Sequence, residues 1–391
     1  MKRGLCILCG LCMTMALTAC GPKAQAAVQT EPMTGNAIQT EQTAGQSEPA
    51  EETKQAEASK QTERSEETEK TEKTVEEKNT ETVNAGQMGN SADNGESTAA
   101  ADDAPIVYFT SDISAEGMLK IYKQLGWEPT GKVAVKLSTG EPPASNYLAP
   151  ELIADVVKEV DGTIVECNTA YGGSRSSTAM HYQVAEDHGF TAIADFQILD
   201  ENGSMSLPVN GGSVLTENLV GAAFADYDSY VVLSHFKGHQ MAGFGGAIKN
   251  ISIGLGSQEG KCLIHSGGKS HTSPWGGDQT AFTEAMAEAA KSVCDYLDGG
   301  SRIIFINVLN NISIDCDCNG NPAEPDIHDI GIAASTDPVA VDQACIDLAF
   351  AAEGSESLQK RVAAQNGLHT LEHAEEISLG SRRYNLVSID K

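Results

Sequence analysis

The densest concentration of reactive side chains in the sequence runs from Ser234 to Asn250, Ser-His-Phe-Lys-Gly-His-Gln-Met-Ala-Gly-Phe-Gly-Gly-Ala-Ile-Lys-Asn. Two imidazoles, His235 and His239, share this stretch with two amines, Lys237 and Lys249. Gly243, Gly245 and Gly246 carry no side chains, so backbone N–H groups there can approach a ligand closely. The segment from Lys249 to Leu255 can begin a helix whose positive end faces an anion, and a phosphate or carboxylate suits that arrangement. The run starts where an apolar strand ending at Ser234 stops, which is where open α/β sheets place their ligands. The competing reading is a glycine-rich turn whose histidines are satisfied in the core.

A second constellation is Asp315-Cys316-Asp317-Cys318, with His328 nearby in sequence. Two thiolates flanked by carboxylates suit a soft or borderline metal such as Ni, Fe or Zn. Such a site is completed by His265 or His271 coming close in space. A redox pair, disulfides to other cysteines, and a tight turn with incidental thiols remain alternatives. His181 and His188 share a helix face and read as surface residues, while His369 and His373 read as solvated. Asp337 reads as a helix cap, and Asp342 as a first-turn acid or a pocket carboxylate.

The stretch from His235 to Ser266, with Lys249-Asn250-Ile251, Gly254, Gly260-Lys261 and His265-Ser266, resembles the bacterial family called domain of unknown function 362. Asp315-Cys316-Asp317-Cys318, Pro325-Asp326-Ile327 and Ser335-Thr336-Asp337-Pro338-Val339-Ala340 also resemble it, so the likeness covers about 132–349. Members often carry iron–sulfur segments, which makes an iron–sulfur cluster one implied cofactor. The repeated Cys-x-x-Cys-x-x-Cys spacing of such segments falls only at Cys6, Cys9 and Cys12 in the apolar N-terminal run, and the sequence after Cys20 has none.

The pattern His239-x-x-Ala242-Gly243-Phe244-x-Gly246-x-x-Lys249, followed by His265, is similar to the nickel-dependent lactate racemase family. That resemblance implies His239 as proton or hydride partner, Lys249 as the attachment point of a nickel-pincer nucleotide, and His265 as nickel ligand. The run Gly172-Gly173-Ser174-Arg175-Ser176-Ser177-Thr178 is similar to the family's Gly-Thr-His-Arg-x-x-Thr segment. It retains Arg175 as an anion holder and Thr178 as a binding residue, and Ser174 stands where that family has its second catalytic histidine.

The elements that must position these groups read as α/β. Short Val/Ile-rich runs at 106–109, 132–137, 162–167, 229–234, 302–308, 330–334 and 384–389 have the character of buried strands. Helical patterns fall at 114–125, 150–160, 176–188, 279–297 and 338–350, with Ser114 and Asp337 as caps and proline opening two of them. The expected fold is one large domain over 105–391, or two closely packed lobes, with a largely parallel mixed sheet flanked by helices.

Ahead of it stands a different kind of sequence. Lys2 and Arg3, an apolar run to Ala16, and Leu17-Thr18-Ala19-Cys20 form a signal peptide over 1–19 with a lipobox-like end. Cys20 is the expected lipidation site, carrying the protein on membrane lipid through two acyl chains. Residues 20–104 are rich in Glu, Thr, Gln, Ala and Ser, too polar to form a core, and read as a disordered acidic linker. A formal net charge of −29 argues against nucleic acid, which needs a basic face.

The sequence therefore predicts an exported, lipid-anchored protein on the extracytoplasmic face of the cell membrane. Its Gly/His/Lys pocket is expected to hold a metal or metal-containing cofactor. Catalytic work falls to His239, Lys249 and Arg175, ligand binding to Gly243, Gly245, Gly246, Lys237 and Thr178, and metal binding to His265, Cys316, Cys318 and His235. The chemistry would be redox or proton transfer on a small carboxylate; a non-catalytic receptor for a small anion is the alternative.

Overall fold

The computed structural model describes residues 103–391. The signal peptide, Cys20 and all but the last two residues of the linker lie outside the described residues. The elements run β1 (Ile106–Thr110), α1 (Ala115–Gln124), β2 (Val133–Lys136), α2 (Pro150–Glu159), β3 (Thr163–Glu166), α3 (Thr178–Asp187), β4 (Phe196–Ile198), β5 (Ser204–Pro208) and β6 (Glu217–Gly221). They continue with β7 (Ser229–His235), β8 (Lys237–His239), β9 (Gly243–Gly245), α4 (Ala247–Ser252), α5 (Gln258–His265), α6 (Gln279–Tyr296) and β10 (Ile303–Leu309). The last are β11 (Gly331–Ser335), α7 (Pro338–Ala351), α8 (Glu356–Ala364), α9 (His369–Glu376) and β12 (Asn385–Ser388).

An eight-stranded sheet in the order β12-β1-β11-β10-β7-β2-β3-β4 organises the molecule. From β10 to β4 every pairing is parallel, and β11 runs antiparallel to both of its neighbours. The sheet is thus largely parallel and mixed, flanked by helices, and every strand expected from the sequence is in it.

The apolar runs are continuous because both faces of the sheet are covered. Alternate residues of β7 and β10 serve different cores: Tyr230, Val232, Ile303 and Phe305 face one, Val231, Leu233, Ile304 and Ile306 the other. The first core packs on α4, α6 and α7 through Ile248, Ala290, Val293 and Val341; the second packs on α1 and α2 through Ile121, Ile153 and Val156. Each such side chain taken out of water stabilises the fold by roughly 1.5–3 kcal/mol.

Helix starts follow local chemistry. The Ser114 hydroxyl accepts from Gly117 N, Asp278 accepts from Thr280 N and Ala281 N, and Asp337 accepts from Val339 N and Ala340 N just ahead of Pro338. Among the described residues no helix is long and apolar enough to cross a membrane.

Candidate functional site

Strands β2, β3 and β7 run parallel, so their carboxyl ends lie together, and they end on Lys136, Glu166 and His235. Three ionisable groups thus stand at one edge of an otherwise apolar sheet. Above them lies a cavity of about 70 Å³, closed by α4, the Arg175 turn and the Cys316–Cys318 loop. Its wall gathers five cations, Lys136, Arg175, Lys237, Lys249 and Lys261, against two carboxylates, Glu166 and Asp317.

Most of these charges are already paired. Glu166 accepts from Thr139 N at 2.9 Å, the Thr139 hydroxyl at 2.6 Å, His181 Nε2 at 3.0 Å and Arg175 Nη1 at 3.0 Å. Burial alone raises its pKa, but His181 and Arg175 outweigh that and hold the carboxyl well below its ordinary value. Asp317 accepts from Lys237 Nζ at 2.6 Å and from His235 Nδ1 at 2.8 Å. Here too burial raises the pKa, and the Lys237 and His235 charges more than reverse it.

Lys249 differs. Among the described residues its amine has no hydrogen-bond or ion-pair partner, and it lines the cavity from α4. Burial first, then the charge of Lys237, lowers its pKa to about 7. Lys136 is lowered to about 8, by burial first, while its amine donates to Asn250 Oδ1 at 2.9 Å. The buried Thr169 hydroxyl also lines the cavity without a partner. An unmet amine and an unmet hydroxyl in one cavity are what a small ligand would find.

The structure redistributes the residues expected from the sequence. Lys237, Gly245, Gly246, Lys249, Arg175, His235, Cys316 and Cys318 all line the cavity; His239, Gly243, Thr178 and His265 do not. Arg175 is no free anion holder, since its guanidinium is committed to Glu141, Glu166 and the Ser138 hydroxyl. Thr178 accepts from Asn168 Nδ2 at 2.9 Å at the start of α3. Gly243, at φ +78°, is required by packing: a Cβ there would stand 3.0 Å from Val362 Cα of α8.

The expected anion site at the start of α4 is filled from within the chain. Asp342 of α7 accepts from Ala247 N at 2.7 Å and Ile248 N at 2.9 Å. Gly246 lacks a side chain because that carboxylate lies where its Cβ would be. Asp342 is therefore a helix cap delivered from a distant element, neither a first-turn acid nor a free pocket group.

The histidines take fixed tautomers. His235 is engaged at both ring nitrogens, by Asp317 Oδ1 at 2.8 Å and Asn310 O at 2.7 Å, so neither nitrogen is free for a metal. His239 Nδ1 accepts from Met241 N at 3.1 Å and Ala242 N at 2.9 Å, which leaves its proton on Nε2. Burial, with the charges of Lys249, His265 and Lys237, holds it neutral well below the usual histidine pKa, so it is a fixed donor rather than a base.

His265 is the reverse case. Its Nδ1 donates to Lys261 O at 2.7 Å, freeing Nε2, and burial pushes its pKa to about 4. Its ring stacks on Phe282 and meets Tyr171 edge-on, apart from the cysteine pair. His181 is a buried partner of Glu166 rather than a surface residue, and His369 and His373 pair with Glu284 and Glu288 rather than water.

Cys316 and Cys318 are bonded to each other as a disulfide, not to other cysteines. Their sulfurs and a His239 nitrogen lie within 4.8 Å of one another, the one candidate metal set of three or more among the described residues. As a disulfide the pair has no thiolate to offer, so this set requires reduction first.

Two implied cofactors can be tested against these residues. An iron–sulfur cluster needs four ligands, and the candidate set supplies three. A nickel-pincer nucleotide finds a free amine in Lys249, but a cavity of about 70 Å³ holds only a handful of waters and His265 is not in its wall. The residues present fit neither group.

Lys136, Glu166 and Thr169 are cavity residues that motif reading passed over, while Lys261 and Asp317 were quoted within motifs without a role of their own in the pocket. A signal was present for two of them. Lys136 and Glu166 each end a Val/Ile-rich strand, and a charge closing a buried strand needs a partner or a function.

Comparison with known proteins places this geometry in a family. Two solved structures are similar in part. The lactate racemase apoprotein from Thermoanaerobacterium thermosaccharolyticum is 14% identical over 63% of this chain and 57% of that one, with a TM-score of 0.40. A protein from Thermotoga maritima is 13% identical over 67% and 58%, with a TM-score of 0.33. This chain thus spans less than two thirds of either structure, and likeness this loose transfers no residue roles. No curated protein matches the sequence. The profile of Domain of unknown function (DUF362), however, matches residues 133–347, the sheet from β2 to β11 with the whole cavity wall. The chain belongs to the DUF362 family.

Proposed function

We propose that the protein is an extracytoplasmic lipoprotein, anchored through Cys20, whose cavity binds a small carboxylate and moves a proton to or from it through Lys249. The observation that supports this reading is the partnerless Lys249 amine in a cavity where every carboxylate is already paired. The protonated form attracts the carboxylate, aided by Lys136 and Lys261. The neutral form, abundant because the pKa is about 7, removes a proton from the bound molecule. The Thr169 hydroxyl supplies a donor that fixes orientation.

The test uses two- to four-carbon hydroxy- and oxo-carboxylates with the purified protein in deuterated water. We expect saturable binding and exchange of the carbon-bound hydrogen next to the carboxylate in hydroxy acids or next to the ketone in oxo acids, with a rate that rises through about pH 7. Lys249→Gln should lower exchange about 100-fold or more while weakening binding far less. Binding without exchange leaves a receptor for small anions; absence of binding removes the proposal altogether.

A second reading is favoured by the convergence of His239, Cys316 and Cys318. Once reduced, these residues offer a divalent metal two thiolates, and the His239 imidazole would join them if its Nδ1 lone pair were released from Met241 N and Ala242 N. Anaerobic reduction followed by Co(II) addition should give a thiolate charge-transfer band that Cys316→Ser abolishes. An unchanged spectrum sinks it.

A further inference from the structure

We propose that Cys316–Cys318 is a redox-active couple that exchanges with small thiols carrying a carboxylate, an activity separate from proton transfer by Lys249. Both residues line the cationic cavity; Cys316 is buried and Cys318 half-buried, so an entering thiol meets Cys318 first.

A structural role explains the bond poorly. A disulfide stabilises chiefly by restricting the unfolded chain, and the effect grows with loop length. A bond across one intervening residue is at the bottom of that scale. The loop is also held without it: Asp317 is tied to Lys237 and His235, Glu141 N donates to Asp317 O at 2.7 Å, and Gly238 N donates to Ser313 O at 2.8 Å. The sulfurs can therefore part while their backbone stays in place.

The surroundings favour the thiolates that exchange requires. The Cys318 N–H donates to Cys316 Sγ at 3.4 Å, and a ring nitrogen of His239 lies within 4.8 Å of both sulfurs. The negative charge closest in sequence, Asp317, is paired with Lys237 Nζ at 2.6 Å and hydrogen-bonded to His235 Nδ1 at 2.8 Å. Cations around a thiol promote its ionisation, whereas the other cavity thiol, Cys167, is pushed up to about 12 by burial first and stays protonated.

The chemistry balances on thiols alone. A small thiolate attacks Cys318 Sγ; the Cys316–Cys318 bond breaks, and its electron pair leaves on Cys316, which takes a proton from water. A second thiolate attacks the small-molecule sulfur of the mixed disulfide and releases Cys318. Two thiols become one disulfide, and the protein disulfide becomes a dithiol. Small disulfides run the sequence backwards.

The experiment follows reduction of the folded, full chain by intact mass with thioglycolate, 2-mercaptoethanol and 2-mercaptoethylamine. Each rate is normalised to that thiol's rate with a small neutral disulfide. We expect thioglycolate to exceed 2-mercaptoethylamine by about tenfold or more, as attraction into a charged cleft predicts. Lys249→Gln should shrink that ratio, and Cys316→Ser, given the disulfide of thioglycolate, should keep one thioglycolate adduct on Cys318 as one thioglycolate is released. Should that variant fail to fold, the wild-type ratio decides alone. A disulfide reduced only in denaturant, or with no preference for the anionic thiol, overturns the proposal. Undiminished binding of acetate in that case leaves the carboxylate site standing.

Discussion

An amine that loses its proton near pH 7 inside a folded protein has a fixed thermodynamic consequence. Lys249 has a pKa of about 7 in the fold against an ordinary 10.5, so between those values the unfolded chain binds more protons. Stability therefore rises with pH across that window, and below it the protonated amine opposes folding. Lys136, at about 8, contributes the same sign over a narrower range. Replacing Lys249 by Met should stabilise the protein at pH 7 by about 1–3 kcal/mol, a figure reduced for the amine's contact with water. It should also flatten, without abolishing, the rise from pH 7 to 10. Urea unfolding at three pH values measures both; an identical slope in the variant refutes the assigned pKa.

Between elements, buried carboxylates tie together segments far apart in sequence. Glu288 of α6 accepts from Ser213 N at 2.6 Å, Val214 N at 3.1 Å and Leu215 N at 2.7 Å, and pairs with His373 of α9. One side chain thus fixes the loop between β5 and β6 and the packing of α9. Glu288→Ala leaves three backbone N–H groups without acceptors, at about 1–3 kcal/mol each for any that stays buried. Amide exchange of Ser213 to Leu215 should speed by about 100-fold, while exchange in β7 and β10 changes far less. Equal acceleration throughout the sheet means global destabilisation rather than a released loop, and defeats the assignment.

The same long-range contacts explain what the sequence made legible. Strands β7 and β10 were readable because both faces are buried, so their central residues, Tyr230 to Leu233 and Ile303 to Ile306, form unbroken apolar runs. Strands β8 and β9, Lys-Gly-His and Gly-Phe-Gly, carry no such pattern and form only because the chain doubles back. The Gly/His/Lys run begins where β7 stops, as its position after an apolar run suggested, and Lys249 from that run lines the cavity. The cap on α4 was not legible, because it comes from Asp342 at the far end of the domain. Nor could spacing reveal that His239 and His265 carry opposite tautomers, which depends on which backbone groups they meet.

At the scale of the molecule, charge is segregated. The chain carries 26 basic residues against 55 acidic ones, yet five of the basic ones converge on one small cavity. An acidic exterior discourages polyanions, while the cavity draws in a small anion at short range. That division suits a protein held at a membrane surface and fed by small solutes, and the proposed anchor is its testable part. Diacylglyceryl modification of Cys20 gives two buried acyl chains, enough for stable attachment where one is not. The wild-type protein should therefore sediment with membranes and yield an N-terminal peptide bearing the lipid mass. Cys20→Ser removes the only sulfur at the cleavage point, so the protein should lose that lipid mass and, if still processed, appear in the soluble fraction. Its carboxylate affinity should be unchanged, because no cavity residue lies before Lys136. Membrane attachment that survives the substitution, with no lipid on the peptide, would show that something other than Cys20 holds the protein there.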